Sequence, residues 1–211
     1  TIGTPAAPTP VTITTPNLLV GSGSSGGTGG GSQFVLTTSG NLLLRGTGSA
    51  PAPSTELGGN LSINAADIQL DHATIQAVAG TVTLHATGSA GNILLGDSSL
   101  LSAPGYARIL GDQVRYAPGG KVVLISDAGD IITSSSSTID LSQPKGGLGW
   151  GGELDITALQ GNLVSRGGVG ILDAAISANG ASGRGGIFHL NIKGGLANNL
   201  LDDLAGKLSA G

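Results

Sequence analysis

The chain of 211 residues contains no cysteine and no methionine, and aromatic residues make up only 2% of it. Without cysteine, disulfides cannot stabilise the fold and thiol chemistry is excluded. With so few aromatic side chains, the interior has to be filled by aliphatic residues. Because methionine is absent, we expect a processed product or a segment of a longer protein.

Charge is also scarce, at 10% of the residues. No apolar run reaches the roughly 18 residues that a membrane-spanning helix needs, so we expect no membrane insertion. The nine lysines and arginines are scattered and the net charge is −4. This pattern offers no basic surface for nucleic acid, and we predict no nucleic-acid partner. We also predict no cofactor.

Glycine is the abundant residue, at 39 of 211. Glycine accepts positive φ angles without steric cost, so a high content indicates many turns. Many turns combined with frequent Leu, Ile and Val predict many short β-strands. Low charge with abundant aliphatic residues also argues against intrinsic disorder.

A three-part pattern recurs along the chain, and its clearest copy spans residues 119–141. Each copy begins with a turn followed by an apolar-x-apolar strand, continues through a Gly-Asn or Gly-Asp corner, and ends in a third short strand. The first apolar positions of the copies are Phe34, Leu61, Val82, Val122, Leu154 and Phe188. The third strands lie at 73–77, 99–103, 137–141 and 174–178. Periods of about 20–50 residues are typical of solenoids and propellers.

The shortness of the apolar runs favours a β-helix over a sandwich or a propeller. Runs of about three to five residues place only two or three side chains inward per strand. We therefore predict an all-β parallel β-helix of about six or seven coils over residues 1–194, with a Pro/Thr-rich lead-in at 1–10. Asn41, Asn92 and Asn162 are predicted to stack at one corner and to bond each other along the axis.

The C-terminal residues 195–211 change period. Five leucines fall near one helical stripe, namely Leu196, Leu200, Leu201, Leu204 and Leu208. This spacing predicts a short amphipathic helix. The helix either caps the open end of the solenoid or begins the next module of a longer chain.

The repeat pattern GG-x-[LV]-x-[LI]…G-[ND]-[IL]-x-[LIV]…x-I-x-A, in a cysteine-free and aromatic-poor chain, resembles the filamentous haemagglutinin family over about residues 31–193. These are secreted exoproteins of bacterial two-partner secretion. The resemblance implies a right-handed shaft, export through an outer-membrane transporter partner, a secreted or cell-surface location, and adhesion to a host receptor or glycan in virulence. The family's secretion domain carries Asn-Pro-Asn-Leu, whereas this chain has Thr15-Pro16-Asn17-Leu18. We therefore expect a monomeric segment from the shaft or a later part of such a protein.

Candidate binding residues lie where the repeat is interrupted. Trp150 lies in the Gly-rich loop 145–153, and Tyr106, Arg108 and Tyr116 lie in YARILGDQVRY at 106–116. We interpret 106–116 as an inserted loop or a partial extra coil, with both tyrosines in loops. Exposed aromatic rings beside polar groups suit carbohydrate or protein contacts. The alternative is that Trp150 folds back over apolar surface.

Two further functions remain open beside a non-enzymatic shaft with an adhesive surface. A polysaccharide-active β-helix enzyme would need Arg108, Asp112 and Arg115 to converge with Asp97 or Asp127 in a cleft. A specific carbohydrate-binding module would depend on Trp150. We favour the reading in which the chain is not an enzyme and has no catalytic residues.

The sequence predicts no metal site. The three histidines are not at metal-ligand spacing from one another, and we expect them at the surface: His72, His85 and His189. Asp127 and Asp130 flank one turn, and together with Asp97, Asp140 or Asp155 on adjacent coils they could offer oxygens to Ca²⁺. Turn formation is the favoured role for these aspartates, because Asp commonly hydrogen-bonds its own backbone in turns.

Overall fold

The computed structural model describes residues 11–14, 17–19, 33–46, 57–144, 150–166, 175–178, 180 and 185–194. These residues form an all-β structure without helix. The strands are β1 (Val11–Thr14), β2 (Asn17–Leu19), β3 (Gln33–Thr37), β4 (Asn41–Arg45), β5 (Asn60–Ala65), β6 (Asp67–Asp71), β7 (Thr74–Gln76), β8 (Thr81–Ala86), β9 (Ile93–Leu95), β10 (Leu100–Ser102), β11 (Tyr106–Leu110), β12 (Gln113–Ala117), β13 (Lys121–Ser126), β14 (Ile131–Thr133), β15 (Thr138–Asp140), β16 (Glu153–Ala158), β17 (Leu163–Ser165), β18 (Ala175–Ser177) and β19 (Ile187–Ile192).

Three parallel sheets contain all of these strands except β11 and β12. Sheet I has the order β1-β4-β6-β9-β14-β17, sheet II the order β2-β7-β10-β15-β18, and sheet III the order β3-β5-β8-β13-β16-β19. From β5 onward the chain enters sheets III, I and II in turn, and each return adds a strand parallel to the previous one. This arrangement is a β-helix-like fold.

The six copies aligned from the sequence occupy one register in sheet III. Their first apolar positions pair in succession along the sheet: Phe34 with Leu61, Leu61 with Val82, Val82 with Val122, Val122 with Leu154, and Leu154 with Phe188. The predicted third strands likewise form sheet II, where Ile75, Leu101, Ile139 and Ile176 are in register. The predicted repeat alignment is therefore confirmed.

The interior is filled by stacked aliphatic side chains. In β13 the buried positions alternate with partly exposed ones, so Val122 and Leu124 point inward while Val123 and Ile125 point outward. The same alternation in β5, β8 and β16 places Leu, Ile and Val in matching inward columns. Each fully buried aliphatic side chain contributes about 1.5–3 kcal/mol, so the columns supply the main stabilisation.

A column of glycines forms the corner between sheets II and III. A Cβ atom added to Gly80 would lie 2.0 Å from the carbonyl oxygen of Gly59, and one added to Gly120 would lie 2.1 Å from that of Gly80. Gly152 and Gly186 repeat the contact at 2.3 and 2.4 Å. Because real Cβ atoms do not approach backbone so closely, this glycine column requires residues without a side chain.

A ladder of Asn and Asp forms the corner between sheets III and I. The Asp67 Oδ1 accepts the N–H of Asn92 at 2.6 Å, the Asn92 Oδ1 accepts the N–H of Asp130 at 2.8 Å, and the Asp130 Oδ1 accepts the N–H of Asn162 at 2.8 Å. Asn41 pairs in register with Asp67. The predicted common corner is confirmed. However, each of these bonds joins a side chain to the backbone of the next copy of the repeat, and not one stacked Asn side chain to another.

The structure corrects one interpretation of the sequence and adds one strand. Residues 106–116 are neither a loop nor a partial coil but an antiparallel hairpin of β11 and β12, so Tyr106 and Tyr116 lie in strands. Strand β2, which pairs with β7, was not predicted. The lead-in at 1–10 and the C-terminal helix at 195–211 lie outside the described residues.

Candidate functional site

The hairpin of β11 and β12 projects from the corner between sheets II and III. It is inserted between β10 and β13, and its strands pair only with each other. The two-residue turn is Gly111-Asp112, in which Gly111 has φ +65° and Asp112 has no positive φ. A glycine of positive φ at the first turn position matches a type II′ turn, whose twist suits a hairpin.

The two faces of the hairpin differ in chemistry. Because side chains alternate along a strand, Ile109 shares a face with its cross-strand partner Val114 and with Tyr116. Ile109 is 74% exposed and Val114 is 45% exposed. Leu110, next to the turn on the opposite face, is 51% exposed. The hairpin therefore presents large apolar side chains to solvent.

Two arginines lie opposite each other on the second face. Arg108 and Arg115 are direct cross-strand partners. Like charges in this position destabilise a strand pair. The Arg115 guanidinium donates to the Gln113 side-chain oxygen at 3.1 Å, and Arg108 has no hydrogen-bond or ion-pair partner among the residues described. Among the described residues, no carboxylate forms an ion pair with either arginine, and the hairpin has two arginines against one aspartate, Asp112.

Trp150 is placed at the same corner on the next pass of the chain. A Cβ on Gly119, which follows the hairpin, would lie 2.4 Å from the N atom of Gly152. The backbone N–H of Gly105, which precedes the hairpin, donates to the carbonyl of Ser142 at 2.7 Å. Trp150 is 57% exposed, so more than half of its surface remains available for contact. We call Tyr106, Arg108, Tyr116 and Trp150 the corner patch.

The residues required by the enzyme alternative lie at three different corners. Asp112 is at the tip of the hairpin, between sheets II and III. Asp97 lies between sheets I and II, where the Ser134 hydroxyl donates to it at 2.5 Å and lowers the pKa of its carboxyl. Asp127 lies between sheets III and I, 2.9 Å from the Nε2 of His85. These three aspartates do not converge in one cleft.

A charged cluster that the sequence analysis missed lies on the outer face of sheet III. The Lys121 Nζ is 2.9 Å from Glu153 and 2.5 Å from Asp155, and the His189 Nδ1 is 2.9 Å from Asp155. Hydrogen bonds to Asp155 and then to Glu153 raise the pKa of Lys121. The repeat alignment could have revealed part of this cluster. Lys121 and Glu153 each precede a first apolar position of the repeat, so the alignment places them side by side on adjacent strands.

The same cluster offers a set of possible metal ligands. One donor atom each from Glu153, Asp155 and His189 lies within 4.8 Å of the others. The Lys121 ammonium already occupies the space between both carboxylates, and an ion would have to displace it. The described geometry is therefore that of an ion-pair network across three adjacent strands.

Among the described residues there is no helix that could serve as a membrane span. Comparisons of the chain with protein-family models, curated proteins and solved structures returned no match. The class is therefore defined by the fold alone. It is an all-β, β-helix-like repeat protein with an exposed patch of aromatic, aliphatic and arginine side chains at one corner.

Proposed function

We propose that this chain is a non-enzymatic segment of a bacterial exoprotein, secreted or held at the cell surface, that acts as a shaft with an adhesive surface. In this proposal it is a right-handed, monomeric β-helix of about six or seven coils, and residues 195–211 form a helix that caps it or begins the next module. The resemblance to filamentous haemagglutinins supports export through an outer-membrane transporter of two-partner secretion.

The shaft role is supported by the contacts between successive copies of the repeat. The buried columns, the glycine column and the Asn/Asp ladder all hold adjacent copies together, and these three features account for the recurring positions of the repeat. Stability in such a stack is a sum of contacts between neighbours, which permits extension along one axis. A rod of this kind can carry a contact surface away from its point of attachment.

The adhesive role is supported by one observation: Trp150 and the hairpin lie at the same corner between sheets II and III, with Tyr106 and Arg108 on one face of the hairpin and Tyr116 on the other. Exposed Trp and Tyr rings provide flat apolar faces with polar rims, which suit sugars and protein surfaces. Arg108 adds a guanidinium that can donate to hydroxyl or carboxylate groups. A host glycan or a host protein receptor is the contact that this chemistry fits.

The proposed contact can be tested with the purified 211-residue chain on a glycan array and on cultured host cells. We expect saturable binding that falls about tenfold or more in Trp150→Ala, because truncation removes a stacking face worth more than about 1.4 kcal/mol. Phe34→Ala is the matched control: Phe34 is 49% exposed but lies three strands from β13 in sheet III. Absent binding, or equal loss in both variants, contradicts the adhesive role.

A further inference from the structure

The hairpin has an open edge along β12. Leu110 and Gln113 flank a two-residue turn and form a hydrogen-bonded pair, so the backbone groups of Val114 and Tyr116 point away from β11. Neither residue forms a backbone hydrogen bond with another element of the described chain. Residues 113–116 are all exposed. This row of N–H and C=O groups is a template for a further strand.

The base of β11, by contrast, is flanked by the chain itself. Gly105 is bonded to Ser142, and a Cβ on Gly105 would lie 2.8 Å from the Pro144 side chain. Tyr106 and Ala107 are correspondingly less exposed than residues 113–116 of β12. Residues 113–116 of β12 are all exposed, whereas only 108–110 of β11 are, so β12 offers the longer edge to a partner.

We infer that β12 accepts an extended segment of another protein as a third strand, and that this segment alternates acidic and apolar residues. Added on the β12 side, a strand places one set of side chains beside Arg115 and the other beside Val114 and Tyr116. Arg108 and Ile109 lie one strand further away on the same two faces. Carboxylates complement the arginines, and apolar side chains cover the exposed aliphatic face. Main-chain bonds at a sheet edge supply affinity while alternate side chains supply specificity.

An acidic, apolar strand fits the β12 edge better than a second copy of this chain or an anionic membrane. A second copy of the chain pairing through β12 would bring two more arginines to the face that already holds Arg108 and Arg115, and like charges on neighbouring strands repel. An anionic membrane offers no extended backbone that could pair with the outward N–H and C=O groups of β12. A short acidic and apolar strand pairs with these groups and neutralises the arginines without that repulsion.

The inference rests on the proposed contact role of the corner patch and names its partner. The probe is a capped peptide of about eight residues that alternates glutamate and valine, a usual strand length. Binding to the full chain is measured by isothermal titration calorimetry. We expect the same peptide with lysine in place of glutamate to bind at least tenfold more weakly. Methylation of its backbone nitrogens should abolish binding.

Variants of the chain separate backbone pairing from charge. Val114→Pro removes an N–H that points outward and leaves the bonds between β11 and β12 in place, as proline permits at a sheet edge. It should abolish peptide binding, while the control Val114→Thr keeps it. Arg115→Glu should remove the preference for the glutamate peptide, because the new carboxylate lies opposite Arg108 and balances its charge.

Four outcomes would overturn the inference. They are equal binding of the acidic and basic peptides, binding by Val114→Pro, dimerisation through β12 in sedimentation velocity, and binding to phosphatidylserine vesicles in place of the peptide. If the glutamate–valine peptide fails to bind the unmodified chain while glycan or cell binding persists, strand addition is refuted and the adhesive role is not. Loss of cell binding in Trp150→Ala remains the separate test of the adhesive role.

Discussion

Replacing Val122 with aspartate is expected to lower the free energy of unfolding by more than about 4 kcal/mol, or to prevent folding. Val122 is fully buried and lies between Val82 and Leu154 in the inward column of sheet III. A carboxylate there has no partner within the aliphatic interior, and burial of an unpaired charge is among the most destabilising changes known. Urea denaturation followed by circular dichroism measures the loss.

The matched control is Ile125→Asp in the same strand. Ile125 points outward between His85 and Thr157 and is partly exposed, so a carboxylate there can reach water. Its cost should be near the typical value of about 1 kcal/mol for a point substitution. If the two variants lose stability equally, the assignment of inward and outward positions in β13 is wrong.

Replacing Gly120 with alanine should cost about 3 kcal/mol, at the upper end of the effects of overpacking. The new Cβ would lie 2.1 Å from the carbonyl oxygen of Gly80, and this oxygen belongs to backbone that cannot swing aside. This clash can be relieved only if two adjacent copies of the repeat move apart, and that movement also strains their contacts with the neighbouring copies. Thermal and urea denaturation of the purified variant measure the effect.

Gly58→Ala separates this steric effect from the ordinary conformational preference of glycine. Gly58 has φ +74°, and a Cβ there would meet nothing within 4 Å. Its replacement should cost only about 1–2 kcal/mol, the penalty of a left-handed conformation for an L-residue. A larger loss for Gly58→Ala than for Gly120→Ala would contradict close packing of the glycine column.

The strand registers could be predicted because each pass repeats the same local chemistry. Inward positions alternate with outward ones, and the corners carry Gly, Asn or Asp, so six copies align without knowledge of the fold. Aligning Phe34 with Leu61 therefore also placed them side by side in space. The bonds of the polar ladder could not be predicted, because they depend on the reach from an Asn92 side chain to the backbone of the next pass.

The hairpin was misinterpreted although its sequence carries a hairpin signal. Alternating residues flank a Gly-X pair at Gly111-Asp112, which indicates a type II′ turn. The wide spacing from Val82 to Val122 suggested a partial coil instead. The cluster around Lys121 was missed for a different reason: its members are distant in sequence, and only the stacking of β13, β16 and β19 brings them together. Strand β2 has three residues, too few to show alternation.

The stacking of successive passes is tested most directly by distances between spin labels on the outer face of sheet III. The chain has no cysteine, so Val35→Cys with His189→Cys introduces two unique labelling sites. Val35 and His189 occupy the same register position in sheet III, where β19 is the fifth strand after β3. At about 4.8 Å per strand we predict a narrow distribution near roughly 24 Å, and near roughly 14 Å for Val35 with Val123. Broad distributions, or a separation that does not grow with the number of intervening strands, would contradict the parallel stack.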